Sequence, residues 1–584
     1  MQNFANQCLD LARAILGHNL GSINPDGTIT PVEGESVTKE ESAHALAAIG
    51  EFYRATHETV LQNFNLVDLA AKCLKHQIES EPDNRALAYS ALGLLAFGPA
   101  KKRNLVWEKL DEKTHDDLDK RLLARTEETG IMKAFNIAKS VARYSMGLSK
   151  KDETGRLIDD FLASIQDSST NGYFSDDNGH GMPGVFDLSA LMSFIFIRQS
   201  LKMHVNLALC ERKLPSIRTF AEKLIKLLPN LVRSDGLGWA YGRGVGIYGQ
   251  IYCISIILQF LRDGWISSDK MPVYLDLLRR LFQYFFGTYV DPENGNLVVN
   301  DAERRTLPSQ TTRIVSFDTA RYLCQWSRLT SLLGLSLNVP VFPIKTGGRF
   351  VTFDKSNAKE QGVFIYQNSS TGLHIQLPLI GGRGKVESDA LAFPHCPGVF
   401  DWPVNLYLPV LIPELTIQGI KTVPSFYGKR CTTGLGLKGT LFFSYEQPEL
   451  ISHEEKIVPG WGSCKVTWKF SDTTILADFA YKFKQPLTIS SFRYVIPLSM
   501  PHSTHHLEHS FTLGENSLQA SVLKDDFGAT WANIQEVYQD PIYKTYYGKI
   551  CYLQVLERKT PLNVKPGKEY RLQIELIPDI QWIN

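Results

Sequence analysis

No sign of charge dominates this 584-residue chain: 62 Lys and Arg stand against 61 Asp and Glu, for a formal net charge of +1. No whole-molecule field draws it onto nucleic acid or an anionic membrane, so neither is expected as a partner and any anion recognition must be local. Long apolar runs are missing as well. The stretch Ile251 to Leu261 is interrupted by Ser255 and Gln259 and is too short to span a bilayer. The nine cysteines are scattered without a CxxC pair, which reads as reduced, mostly buried thiols. Met1 to Cys8 has no basic n-region, and Asp10 and Arg13 break any apolar run, so no secretory signal is visible. A cytoplasmic location is expected, or an extracellular one if a leader is missing. Also absent are a P-loop, an HExxH helix and a G-x-S-x-G elbow.

What is present fits a large globular protein, with 43% hydrophobic and 21% charged residues, and excludes disorder and collagen-like repeats. Aromatic residues reach 11%, and rings at that density suit sugar-binding clefts and large cores equally.

The hydrophobic period divides the chain in two. Up to about residue 335 it is helical: Phe220, Leu224, Leu227, Leu228 and Leu231 make one apolar stripe, and Ser189 to Leu209 is apolar nearly all round. Further helices are predicted at Lys39 to Ala55, Asn84 to Phe97, Ile131 to Met146, Gln250 to Leu261 and Val273 to Phe286. Around ten or more paired helices without a legible repeat predict an α/α toroid over 1–335, complete or incomplete. After the Pro-rich Val339 to Pro343 the period becomes two. Val363 and Ile365, then Leu373, Ile375 and Leu377, then Val466, Trp468 and Phe470, alternate with other residues. Residues 336–584 are therefore predicted to form an antiparallel β-sandwich.

Three clusters concentrate chemistry. Asn171 to Gly184 packs Tyr173, Asp176, Asp177, Asn178 and His180 among glycines, beyond what a helix-capping linker needs. Trp239 to Tyr252 sets Tyr241 and Arg243 on a Gly-rich loop and Tyr248 and Tyr252 on the helix that follows; an Arg beside a phenol can clamp a carboxylate next to a proton-transfer group. The same segment contains GxGxxG at Gly244, Gly246 and Gly249, but a loop precedes it where a dinucleotide site needs a strand. Glu387 to Pro403 brackets His395 with prolines among aromatics that include Trp402, which reads as a rigid loop folded over a cleft or as an ordered core histidine. His502, His505, His506 and His509 could hold zinc, but a solvated turn before the strand Ser510 to Leu513 is the better reading, so no metal site is assigned.

A helical half with an Asn-x-His loop, a Tyr/Arg loop about sixty residues on, and a β-half with a His resembles the toroid-plus-sandwich polysaccharide lyases of the heparinase II/III and alginate lyase type. The resemblance implies β-elimination on a uronate-containing poly- or oligosaccharide, with no metal or organic cofactor. It places carboxylate neutralisation on Asn178 and His180, proton exchange on a Tyr, and a completing His at His395. Gly179 separates Asn178 from His180, where alginate lyases tend to have them adjacent, and either Tyr241 or Tyr248 could match the catalytic Tyr. The residues themselves favour Tyr241, because Tyr248 has a packing role at a helix start while Arg243 beside Tyr241 would promote phenolate character. Candidate substrate-binding residues are Arg243, Tyr248, Tyr173, Asp177, Trp239 and Trp402. Two other functions fit the same layout: a glycoside hydrolase using Asp176 or Asp177, or a non-catalytic carbohydrate-binding protein.

Overall fold

The computed structural model describes the chain except residues 1–3, 125–129, 177–185, 292, 301–303, 305, 307–308, 357–358, 381–392, 396–410, 426, 437–438, 453–456, 459, 499–503, 508–509, 514–517, 547 and 579–584. Six helices form a closed inner ring: Glu41–Thr56, Asn84–Ala96, Met132–Ser145, Ser189–Met203, Ile247–Arg262 and Thr312–Leu333. Each packs against the next, and the last returns to the first. An outer layer, Phe4–Leu20, Leu66–Glu79, Glu112–Leu123, Thr154–Ser168, Leu207–Ile225 and Met271–Tyr289, packs around them, giving an α/α toroid. Inner helices are wrapped by neighbours, so they bury most of their positions; Ile247–Arg262 is buried at every position through Leu261.

Short polar side chains fix where these helices begin. Asp83 accepts from the Ala86 amide at the start of Asn84–Ala96, and Thr311 accepts from the Ile314 amide at the start of Thr312–Leu333. Gly334 ends the latter in a left-handed conformation. The segment Ser189 to Leu209, expected as one helix, is two. The first ends at Met203, and the Asn206 side chain caps a new helix by accepting from the Leu209 amide. The uninterrupted apolar composition concealed that cap.

The described strand pairs of the second half are antiparallel. An eight-stranded sheet centred on Gly462–Phe470, Ile475–Phe483 and Glu569–Pro578 faces a sheet centred on Leu487–Leu498 and Tyr552–Arg558, with a shared core between them. A four-stranded sheet, Gly347–Ser356, Lys359–Gln367, His374–Leu379 and Phe393–His395, joins this sandwich to the toroid. The period of two has a clear physical meaning there. Val363 and Ile365 pack into the helical core, while Phe364 and Tyr366 between them pack into the sandwich core. Both faces are buried, so no residue of the alternation is a solvent residue.

The histidines expected in a turn before Ser510–Leu513 differ in part. Thr504–Leu507, with His505 and His506, is a strand paired with Ser510–Leu513 in a hairpin. No described helix is long and apolar enough to cross a membrane, and the eight described cysteines form no disulfide with one another.

Candidate active site

The inner helices of a toroid all begin at one mouth, and a cleft of ≈ 270 Å³ opens there. Arg85, Met132, Ser189 and Tyr248 lie in the first turns of four inner helices, and Gln310 just precedes a fifth; all line it. Helix N-termini carry partial positive charge, and carboxylates of the chain already occupy some of them. Asp176 accepts from the Ile131 amide at 3.0 Å, and Asp187 accepts from the Ser189 amide at 3.0 Å.

Arg243 ties these two carboxylates together. Its Nε donates to Asp187 at 2.6 Å and a terminal nitrogen donates to Asp176 at 2.8 Å, in a site where all three side chains are nearly buried. Gly242, at φ +87°, makes this possible, since a Cβ there would fall 2.3 Å from that of Asp187. Burial alone would raise the Asp187 pKa, but Arg243 and the Ser189 donors outweigh it and hold it below the usual carboxylate range. The sequence left Arg243 as a clamp for substrate; the structure closes that clamp on two aspartates of the chain itself.

Beneath the cleft, inside the ring, lies a second charged cluster. Tyr248 and Tyr89 donate their hydroxyls to the same oxygen of Asp318 at 3.1 and 3.2 Å. The other Asp318 oxygen is 3.1 Å from His44 Nδ1 and 3.5 Å from Arg321. His44 Nε2 lies 3.7 Å from Glu40, and Glu40 is 3.4 Å from Arg85. Burial opposes charge throughout, yet His44 and Arg321 hold the Asp318 carboxyl at about 2, and Asp318 with Glu40 holds the His44 imidazole above its ordinary value. Arg321 is stacked between the rings of Tyr89 and Tyr322, at 4.7 and 4.4 Å.

Of the residues singled out from sequence, Arg243 and Tyr248 line the cleft, with Tyr252 one turn on. Tyr241 does not. Its ring is fully buried 4.9 Å from Trp239, and its hydroxyl has no hydrogen-bond partner among the described residues. Burial, then the charge of Asp187, pushes its pKa well up, opposite to the phenolate expected from a neighbouring cation. That cation is already neutralised. Trp239 donates its indole N–H to the Tyr241 carbonyl at 2.8 Å, and Tyr173 packs on Phe353 of the bridging sheet with Lys223 5.6 Å from its ring; neither lines the cleft. The backbone of His395 pairs opposite His374. The side chain of His395, together with Asp177, Asn178, His180 and Trp402, lies outside the described residues. The sandwich nevertheless reaches this mouth: Tyr546 packs against Gly246, at φ +75°, within the helical core.

Sequence reasoning missed Arg85, His44, Tyr89, Asp318 and Arg321. The one signal for the last two was Asp318-x-x-Arg321-Tyr322, opposite charges three apart, where i and i+3 share a helix face.

A toroid of paired helices joined to an antiparallel sandwich is a fold this chain shares with solved polysaccharide lyases. It is similar over its whole length to the chondroitin AC lyase of Streptomyces coelicolor A3, solved in complex with chondroitin sulphate, at 11% identity, 80% of that chain and a TM-score of 0.50. It is similar to a Paenibacillus xanthan lyase at 9% identity and a TM-score of 0.50, over 99% of this chain and 57% of that one. No protein-family model matches the sequence, and neither does any curated protein.

Proposed function

We propose that the protein is a lyase that cleaves a uronate-containing polysaccharide or oligosaccharide by β-elimination, with Tyr248 as the proton-transfer group. The observation that carries this is the placement of the Tyr248 hydroxyl on Asp318 beneath the cleft, with Arg85 beside it. Arg85 lines the cleft with its side chain about a quarter exposed, and its one carboxylate partner among the described residues is Glu40. A guanidinium there, among helix N-termini, neutralises a uronate carboxylate and so stabilises the enolate-like charge that forms when the α proton leaves. Gln310, whose Oε1 is buried without a partner among the described residues, can accept from a sugar hydroxyl.

Burial, then Asp318, raises the Tyr248 pKa, so the phenol is held protonated and serves as an acid rather than a base. It gives its proton to the departing glycosidic oxygen as the carbon–oxygen bond breaks and the new double bond forms. An imidazole takes the α proton, and His180 and His395 remain the proposed sources. No step needs a metal or organic cofactor. The fold likeness to enzymes of chondroitin and xanthan supports an acidic polymer as substrate.

The hydrolase alternative is less well supported by these residues. Both oxygens of Asp176 are committed, to Ile131 and Arg243, and Asp187 is held ionised, the reverse of a general acid. The test is incubation of the full chain with chondroitin sulphate, heparan sulfate, xanthan and alginate. The expected result is a product with near-ultraviolet absorbance from the new double bond. New reducing ends without that absorbance would overturn the lyase reading in favour of hydrolysis, and binding without turnover would overturn catalysis.

A further inference from the structure

The opposite mouth of the ring, where the inner helices end, holds a second cavity of ≈ 500 Å³. Its walls are the last turns of Glu41–Thr56, Ser189–Met203, Ile247–Arg262 and Thr312–Leu333, the far ends of helices that build the cleft or the charged cluster beneath it. Five cations line it: Arg54, Arg198, Lys202, Arg262 and Arg328. Two carboxylates answer them. Glu51 lies 3.4 Å from Arg54 and 3.5 Å from Arg328, and Asp263 lies 2.6 Å from Arg198 and 3.1 Å from Lys202. Arg262 is exposed and has no ion pair among the described residues. Burial first, then the nearby Arg54 and Arg198, pulls the Arg328 pKa down against Glu51, as expected of cations crowded together.

Helix macrodipoles draw cations to C-termini, which accounts for about one per helix. They do not call for the amides. Gln199, Gln259 and Gln325 line the cavity at 4%, 2% and 4% exposure. Gln199 Oε1, Gln259 Oε1, Gln325 Nε2 and Arg328 Nε are all buried without a hydrogen-bond partner among the described residues. Buried polar atoms are normally paired. Two of these are acceptors, which an anion alone cannot satisfy and a hydroxyl can; the other two are donors. The volume falls in the range of small-ligand sites.

We propose that this cavity binds a sugar-sized polyol carrying a sulfate or phosphate ester, its hydroxyls meeting the glutamine amides and its ester oxygens meeting the arginines and Lys202. A tetrahedral ester offers three acceptor oxygens, which suits several guanidinium and ammonium donors better than a planar carboxylate does. The site is independent of the elimination chemistry at the other mouth.

The test is calorimetric titration of the full chain with glucose 6-phosphate, glucose 6-sulfate, glucose and inorganic phosphate. One ester should bind saturably at one site per chain, more tightly than either glucose or inorganic phosphate, and the tighter ester identifies the group. Lys202→Met, an exposed position at low risk to the fold, should weaken that binding by about tenfold, the usual scale for one charged contact. Arg85→Ala at the opposite mouth should leave it unchanged. No saturable binding of either ester, inorganic phosphate binding as tightly as the esters, or loss of binding in Arg85→Ala with none in Lys202→Met would each overturn the proposal.

Discussion

Arg243 and Asp318 each sit at the centre of a buried charge cluster beside the same cleft, yet the two clusters leave different groups for a ligand. Around Arg243 the partners are spent on one another: two aspartates take the guanidinium, and their remaining oxygens cap the starts of two inner helices. Around Asp318 the partners include phenol hydroxyls, and one of them, on Tyr248, belongs to a ring that lines the cleft. Both clusters are charged and both perturb pKa values, so neither property tells a structural cluster from a reactive one. On the proposed mechanism, the difference lies in which atoms remain able to exchange a proton with something in the cleft.

Removing the centre of each cluster should separate them most strongly. Asp318→Ala strips a buried carboxylate from His44, Arg321 and two phenols, and should destabilise the fold by about 3–5 kcal/mol in urea titrations. Asp318→Asn, which keeps the shape, should cost less. Arg243→Lys keeps the charge but cannot reach Asp176 and Asp187 in one plane, so a loss of about 2–3 kcal/mol is expected. Were Arg243→Lys instead fully stable and selectively weak for a uronate substrate, Arg243 would belong to the substrate and the contrast between the clusters would fail.

A smaller effect follows from pH. The His44 pKa is raised in the folded state, so its contribution is fully present below the ordinary value of 6.5 and fades as pH rises through the folded value. Asp318 is held at about 2, so its contribution is present above its ordinary value of 3.8 and fades as pH falls toward 2. Stability from this pair should therefore peak between those limits. His44→Gln should flatten the alkaline side of a stability–pH curve measured by chemical denaturation. An unchanged alkaline limb would show that His44 is not charged in the folded protein.

The two halves were legible in the sequence through the change of period, because a wrapped helix and a doubly covered strand leave different apolar spacings. The helix Thr312–Leu333 was not, although it closes the ring. Arg313, Asp318, Arg321 and Arg328 interrupt its apolar stripe, and only the folded ring shows that Asp318 and Arg321 lie 3.5 Å apart as an ion pair inside it. The Gly-rich loop after Trp239 was legible as a special site, but the partners of Arg243 come from segments 56 and 67 residues away and leave no local pattern. The spacing favours Tyr241 over Tyr248 for proton transfer because Tyr248 packs at a helix start, and it does pack, 5.6 Å from Tyr252. Packing of the ring does not preclude the proton transfer proposed for its hydroxyl, and sequence spacing reports only the packing.

The central claim is tested most directly by Tyr248→Phe and Tyr241→Phe, each shown to be folded by circular dichroism and compared on one uronate polysaccharide. Tyr89 still donates to Asp318 when the Tyr248 hydroxyl is gone, so folding should survive. Turnover should fall by roughly 10²–10⁴, the scale of one acid–base group. Tyr241→Phe removes a buried hydroxyl with no partner among the described residues, so turnover should stay within about twofold and stability should hold or rise slightly. The opposite ranking, with Tyr241→Phe inactive and Tyr248→Phe near normal, would contradict the assignment of Tyr248.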